Sequence, residues 1–332
     1  MRAAGACVLA AGLAGCSRLP SVLDPQGPEA RSLKRLFDVF MIVSGVVWVA
    51  VMLALVVVVV KRHPGVRSDP LLVDPTRERR GHRLVGALAV ATGLTVLGLT
   101  GVSYAVQRAL HAEESGIVIR VTGHQWWWEL RYDSETPSRQ FTTANEIHVP
   151  VGEPVVLELR ASDVIHSFWV PAVMGKKDLI PGQANRMRLT VERPGVYRGQ
   201  CAEFCGLQHA HMGLLLVAEP RADYDKWVEK QIAPADEPVT EEAKRGRDVF
   251  QGKACVMCHG IRGTDAGGRT GPDLTHLGGR QTLAAGTLPT SRGTIAAWIA
   301  DPQGIKPGNQ MPLVKLSADE LNAVAAYLEG LQ

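Results

Sequence analysis

Two long runs almost free of ionised side chains limit what this chain can fold into more than any other feature. Residues 36–60 form a stretch of 25 with one charge, Asp38, near its start, and residues 84–106 a stretch of 23 with none. As helices rising about 1.5 Å per residue, each is long enough to cross roughly 30 Å of hydrocarbon. A buried helix in a soluble domain is the alternative, but uncharged runs of this length are rare there. The connection, residues 61–83, carries Lys61, Arg62, Arg67, Arg77, Arg79, Arg80 and Arg83. Short basic loops stay on the cytoplasmic side, so residues 30–110 read as a two-helix transmembrane hairpin with both chain termini outside. The expected location is a bacterial plasma membrane, with the working mass of the chain on the periplasmic side. The extreme N-terminus agrees: residues 3–13 are small and apolar, and Leu13-Ala14-Gly15-Cys16 looks like a lipobox. Residues 1–15 then read as a signal peptide that removes Cys7 and leaves Cys16 to carry lipid.

The remainder of the 332 residues is enough for two further domains. A mean hydropathy of +0.02 is then an average over a greasy part and a polar part. The net charge of +3 is too balanced for a protein that neutralises many phosphates, which excludes nucleic acid as a partner. Six cysteines are too few for a disulfide scaffold, and four of them fall in two close pairs, Cys201/Cys205 and Cys255/Cys258.

Between residues 116 and 220 the apolar period becomes two. Met187, Leu189 and Val191 alternate with polar neighbours, and similar short runs separated by Pro-Gly turns predict a β-sandwich. One loop near its end concentrates chemistry. Cys201-Ala202-Glu203-Phe204-Cys205-Gly206-Leu207-Gln208-His209-Ala210-His211-Met212 offers thiols, imidazole and thioether within twelve residues. That soft-to-borderline set selects copper over magnesium or calcium. A Cys201–Cys205 disulfide and a zinc site remain alternatives on residue type alone.

The pattern C-x-E-x-C-x3-H-x2-M, with His166 thirty-five residues upstream in Asp163-Val164-Ile165-His166-Ser167-Phe168, resembles the dinuclear copper (CuA) site of cytochrome c oxidase subunit II. Gly123-His124-Gln125-Trp126-Trp127-Trp128 is similar to that family's aromatic segment, and Lys177-Asp178-Leu179-Ile180-Pro181-Gly182 to its following loop. With the hairpin, the resemblance spans roughly residues 30 to 225. It implies a cupredoxin-like domain over 116–220 in which Cys201 and Cys205 bridge two copper ions. His166 and His209 would bind one copper each, with Met212 and the carbonyl of Glu203 completing them. It further implies that the Glu203 side chain helps bind a magnesium ion at subunit I, and that Trp126 is where electrons enter. Trp127 and Trp128 read as packing residues and His211 as a polar surface residue. One departure stands out: the family's second helix starts with a Glu beside Trp-Thr, whereas Glu78-Arg79-Arg80-Gly81-His82-Arg83 has no Trp-Thr.

Residues 221–239 read as a short helix followed by a Pro-rich linker, after which the helical period returns. Cys255-Val256-Met257-Cys258-His259 is the C-x-x-C-H attachment signature of c-type haem, with His259 as proximal ligand. Apart from Met257, inside the motif, the only methionine after residue 240 is Met311, in Gly308-Asn309-Gln310-Met311-Pro312. A His/Met pair raises the potential of the iron and suits electron transfer. Ser317-Ala318-Asp319-Glu320 is a capping box opening a last helix. Residues 240–332 thus resemble an all-α class I cytochrome c.

Hairpin, copper sandwich and fused cytochrome together resemble subunit II of a caa3-type oxidase. The fold class is a multidomain membrane protein. The resemblance implies an electron relay from covalently bound haem c to CuA and on to subunit I, which carries haem a, haem a3 and CuB and reduces oxygen to water. Other oxidase subunits and a soluble or membrane-bound donor such as a cytochrome c are the further partners. The sandwich counts ten Lys/Arg against eleven Asp/Glu and the cytochrome region ten against nine, so neither has the charge to steer a donor strongly. A tethered haem would reduce that need by raising the local concentration of donor. Two other readings of the same residues stay open: the CuA subunit of a haem-copper nitric-oxide reductase, and a copper-delivery protein.

Overall fold

The computed structural model describes residues 21–61, 75–110 and 115–332. The signal-like segment 1–15, Cys7, Cys16 and much of the basic connection lie outside the described residues. Two long helices come first, α1 (Pro28–Val60) and α2 (Pro75–Leu110). Both start several residues before their apolar runs. Each opens on a proline, whose fixed φ suits the first helical position and whose missing N–H costs nothing there. Within α1 the one acidic residue of the apolar run, Asp38, is paired with Lys34 at 2.8 Å. Within α2, Glu78 pairs with His82 at 3.6 Å. No residue of α2 is buried, and Leu53 and Leu97 remain 60% and 69% exposed. Apolar surface on this scale needs a non-aqueous solvent, and a helix is the form that satisfies its own backbone there. Among the described residues these are the two helices long and apolar enough to cross a membrane. From Arg31 on they make up one compact unit; the described residues up to Ala30 and those from 115 on make up the other.

The second unit opens with a β-sandwich. Its strands are β1 (Ile117–His124), β2 (Trp127–Tyr132), β3 (Phe141–Ala144), β4 (Glu146–Pro150) and β5 (Pro154–Ala161). Then come β6 (His166–Trp169), β7 (Lys177–Leu179), β8 (Asn185–Thr190), β9 (Gly195–Cys201) and β10 (Gly213–Glu219). They form two five-stranded sheets in the orders β3-β2-β1-β5-β8 and β4-β10-β9-β6-β7. In the first sheet Val121 lies opposite Leu130 of antiparallel β2 and Leu159 of parallel β5. Because side chains alternate, that register turns Ile119, Val121, Leu130, Leu157 and Leu159 to the inside together. Ile147, Val149, Phe168, Leu214 and Leu216 meet them from the second sheet. The chain just before the membrane also belongs here: Gln26 N–H donates to Ala172 at 2.6 Å, and buried Glu29 accepts from Thr190 N–H at 3.2 Å.

Helix α3 (Arg221–Ile232) closes one end of the sandwich. Its Trp227 stacks on His148 at 4.1 Å between centroids and meets Tyr132 and Phe141 edge-on. The region after it holds α4 (Glu241–Gly252), α5 (Cys255–Cys258), α6 (Arg292–Ala300), α7 (Pro302–Ile305) and α8 (Ala318–Glu329). A short ladder, β11 (Thr282–Leu283) with β12 (Leu288–Pro289), accompanies the helices. Thr240 caps α4, and Ser317 with Glu320 forms the expected capping box on α8. Helices α4 and α8 approach closely because residue 246 is glycine: a Cβ there would run into the carbonyl of Ala323. Phe250, Ile295, Val324, Tyr327 and Leu328 fill the core behind that crossing.

The segment read as a linker is tied down at both sides. Ala235 N–H donates to Arg262 O at 2.9 Å, the Arg262 guanidinium donates to Ile232 O at 2.6 Å, and His276 Nε2 lies 3.2 Å from Ala233 O. Further along, Gly213 N–H donates to Ala285 O at 2.9 Å and Gln281 N–H to Glu146 at 2.9 Å. A Pro-rich composition lowers helix and strand content, but it does not prevent backbone groups from being captured by a neighbouring surface. The helical region is therefore hydrogen-bonded to the sandwich, and the linker lies bound along that seam.

His148 anchors the α3 end through two carboxylates, Glu219 at 2.6 Å and Glu146 at 3.0 Å. Burial by itself lowers the His148 pKa, but the hydrogen bonds to Glu146 and Glu219 outweigh it and hold it above its ordinary value. A raised folded-state pKa means that this contribution is complete below about pH 6.5 and is lost as pH rises through the folded value. The gap in melting temperature between region 115–332 and its His148→Gln variant is expected to narrow as pH rises from about 6 to about 9. A gap independent of pH, in melts followed by circular dichroism, would refute this role.

Candidate metal centres

The first centre is built at the mouth of the β9–β10 hairpin. Gln200 pairs with Gly213, and Cys201 N–H donates to Met212 O at 2.9 Å, so residues 202–212 form a closed loop with Cys201 and Met212 side by side. Ala202 N–H donates to Ser167 O at 2.9 Å, which ties the loop to β6 and brings His166 to it. The donors then converge. The Cys201 and Cys205 sulfurs are free thiols 3.8 Å apart. His166 Nδ1 lies 4.0 Å from Cys201 Sγ, His209 Nδ1 3.6 Å from Cys205 Sγ, and Met212 Sδ 3.8 Å from Cys205 Sγ. Glu203 contributes its backbone oxygen, 3.2 Å from Cys201 Sγ. Its side chain stays half-exposed and faces Lys176 at 3.7 Å.

The two thiols share one proton unequally. The hydrogen bond from Cys205 pulls the Cys201 pKa down to about 3, with His166 assisting. The neighbouring thiolate and burial push Cys205 up. A cation between the sulfurs would release that remaining proton and make both thiolates, which is the form that binds metal. Thiolate, imidazole and thioether donors converging in this way suit copper, and the residues fit the pair of ions that the resemblance implies.

Several neighbours aim these donors. His166 is fully buried and lies edge-on to Trp128, whose ring is itself fully buried against Phe168. Asp163 Oδ1 is 2.8 Å from His166 Nε2, which leaves Nδ1 to face the sulfurs. Asp163 is in turn held by the amides of Val164 and Gln125. Sequence reasoning passed over Asp163; the signal available was a carboxylate three residues ahead of a ligand histidine. Trp126 is 8% exposed, and its indole N–H donates to Cys205 O at 2.9 Å. Gln125 donates to the same carbonyl at 2.8 Å. Trp127 stacks on His124 at 4.4 Å, and His211 is exposed, bonded to Gln208 at 2.8 Å.

The second centre lies around α5. His259 Nδ1 is 2.7 Å from Pro272 O, which fixes the ring and keeps Nε2 for a metal. Burial holds the His259 pKa below its ordinary value, so the imidazole is neutral, as an iron ligand must be. Cys255, Val256, Trp298, Met311 and Leu316 pack on the helical core but are only partly buried, leaving apolar surface for a macrocycle to cover. Met257 points outward at 73% exposure, which fits its exclusion as a ligand. The Met311 amide donates to Asn309 Oδ1 at 2.8 Å, inside a loop that Asn309 also ties to Pro302 and Lys306. These residues fit a covalently attached haem.

Comparison with known proteins bears on both centres. The family model "Cytochrome C oxidase subunit II, periplasmic domain" matches residues 133–219, and the model "Cytochrome c" matches residues 243–332. Cytochrome c oxidase subunit 2 of Alkalihalophilus pseudofirmus is 37% identical over 317 residues, covering 94% of this chain and 91% of its own length. The chain belongs to the cytochrome c oxidase subunit II family. It is thus a subunit of a haem-copper oxidase, an oxidoreductase complex in which subunit II associates with subunit I, and copper and haem are its cofactors. The corresponding subunit of Bacillus sp. (strain PS3) is 35% identical over 258 residues, covering 74% of this chain and 70% of its own length. Among solved structures, the periplasmic domain of subunit II of cytochrome oxidase of Bradyrhizobium japonicum is 29% identical. It covers 36% of this chain and 95% of that one, with a TM-score of 0.34.

Gly123 lies against the His166 ring. A Cβ there would lie 2.8 Å from His166 Cδ2 and 3.0 Å from Cγ, with no room for the buried ring to give way. Gly123→Ala is therefore expected to turn His166 off the sulfurs and weaken copper binding about 10- to 100-fold, the range for groups that orient metal ligands. Competition against a copper chelator measures it, and wild-type affinity with an unchanged copper spectrum would show that Gly123 does not set the His166 orientation.

Proposed function

We propose that this subunit relays electrons through two centres of its own, with haem c as donor to a dinuclear copper site and subunit I as recipient. The observation that carries the reading is the convergence of His166, Cys201, Glu203 O, Cys205, His209 and Met212 in one closed loop. When bound, the copper pair and the haem supply one-electron carriers whose geometry changes little between oxidation states, feeding the reduction of oxygen in subunit I. The residues of the chain do the rest. Cys201, Cys205, His166, His209, Met212 and the Glu203 carbonyl would hold the copper, the two cysteines as thiolates. Cys255 and Cys258 would anchor the haem covalently, and His259 and Met311 would hold its iron. Trp126, hydrogen-bonded to the carbonyl of a copper ligand, is the residue where electrons enter the copper site.

The Glu203 side chain, facing outward beside Lys176, is assigned to a magnesium ion shared with subunit I. The basic connection supports a periplasmic location for both termini and both centres. An external cytochrome c-type carrier is the donor to the haem.

Two measurements test this reading. The electron paramagnetic resonance spectrum of the copper-loaded protein is expected to show one unpaired electron shared by two equivalent copper nuclei. A single localised Cu(II), or failure to retain copper, would overturn the dinuclear site. Met311→Ala is expected to replace the axial ligand and lower the haem potential while the copper spectrum stays as it was. Loss of copper from that variant would refute the division into two centres.

A further inference from the structure

We propose that Lys306 is a positioning residue that clamps the haem-bearing region onto the copper loop, holding the segment that carries Met311 against Trp126. This rests on the assignment of the two centres and of Trp126 given above.

Lys306 is 3% exposed, an unusual place for an ammonium. Its Nζ donates to three backbone carbonyls: Trp126 O at 2.9 Å, His211 O at 2.9 Å and Ala284 O at 3.2 Å. These belong to three separate stretches of chain: the aromatic segment, the copper loop one residue before Met212, and the turn between β11 and β12. An ammonium has three N–H donors and no acceptor, so three carbonyls satisfy it completely. Burial draws its pKa down to about 8. The cost of holding it there is offset only while all three carbonyls stay in place.

The contacts around it share the same geometry. Gln208 of the copper loop donates to Pro307 O at 2.7 Å. Gly308 has φ of +83° and sits where a Cβ would meet Leu207 Cδ1 at 2.8 Å and Trp126 Cη2 at 3.9 Å, so its lack of a side chain lets the loop lie against the indole. The loop is rigid from Lys306 to Met311. Asn309 donates to Pro302 O and Lys306 O and accepts from the Met311 amide, and Gln303 bonds Gly308 N–H and Asn309 O. One cross-braced segment thus presents the clamp at one end and the expected haem ligand at the other. The indole beside Gly308 donates to the Cys205 carbonyl.

The test uses the complete oxidase with both centres loaded. In the wild type, transfer from photoreduced haem to copper is expected to be independent of solvent viscosity, because no domain movement precedes it. In Lys306→Met it is expected to slow by about tenfold or more, the order of loss produced by misplacements near 1 Å. It should also become viscosity-dependent, with haem and copper spectra unchanged. Hydrogen exchange gives a readout apart from turnover: the Gly213 and Gln281 amides bond across the seam, and both should exchange faster in the variant while those of α4 and α8 stay protected. Wild-type exchange and transfer rates in Lys306→Met would overturn the clamp. Viscosity-dependent transfer in the wild type would overturn it without any variant, as would loss of the α4 and α8 protection, which makes Lys306 a residue of the fold alone. Absence of a dinuclear copper signal in the wild type would instead overturn the functional reading beneath it.

Discussion

The bond from the Cys201 amide to the Met212 carbonyl closes the mouth of a hairpin, and most of what this protein does depends on that closure. It places two thiols, an imidazole and a thioether on one short loop whose ends cannot separate without breaking the β9–β10 ladder. The sandwich supplies the remaining donor from a different strand, with His166 oriented by Asp163 and backed by the buried rings of Trp128 and Phe168. A metal held this way keeps its ligands when its charge changes, because moving any of them means disturbing a close-packed core.

The same loop is also a docking surface. Its His211 carbonyl and the Gln208 amide are bonded by the 302–311 segment, while Glu146 and Gly213 take the ladder side of the helical region. Seam bonds between backbone groups demand exact placement, and a buried lysine demands it more strictly than a surface ion pair. Orientation between the two regions comes from hydrogen bonds inside the chain.

Much was legible in the residues taken in order. The apolar runs gave the spanning helices because hydrocarbon thickness sets a length that few soluble helices need. The ligand loop was legible because Cys201, Cys205, His209 and Met212 lie on one short stretch, so their proximity is local. The C-x-x-C-H motif and the Ser317–Glu320 capping box were legible for the same reason. Asp163 was overlooked although it lies three residues from His166, since a carboxylate beside a histidine has many uses. Lys306 carried no signal at all: lysines in loops are mostly solvated, and its partners are backbone carbonyls at residues 126, 211 and 284.

By itself, then, the order of amino acids determined the class of each region and the identity of nearly every candidate ligand, because those properties follow from periodicity and short spacings. Only the tertiary structure decided where the backbone groups of the linker bond, and that residues 26–29 belong to the sandwich. It also decided that Trp126 lies between the 201–212 loop and the 306–311 segment. The physical reason is common to all three. They are contacts between groups far apart along the chain, made largely by backbone N–H and C=O, which every residue carries and no pattern of side chains marks in advance.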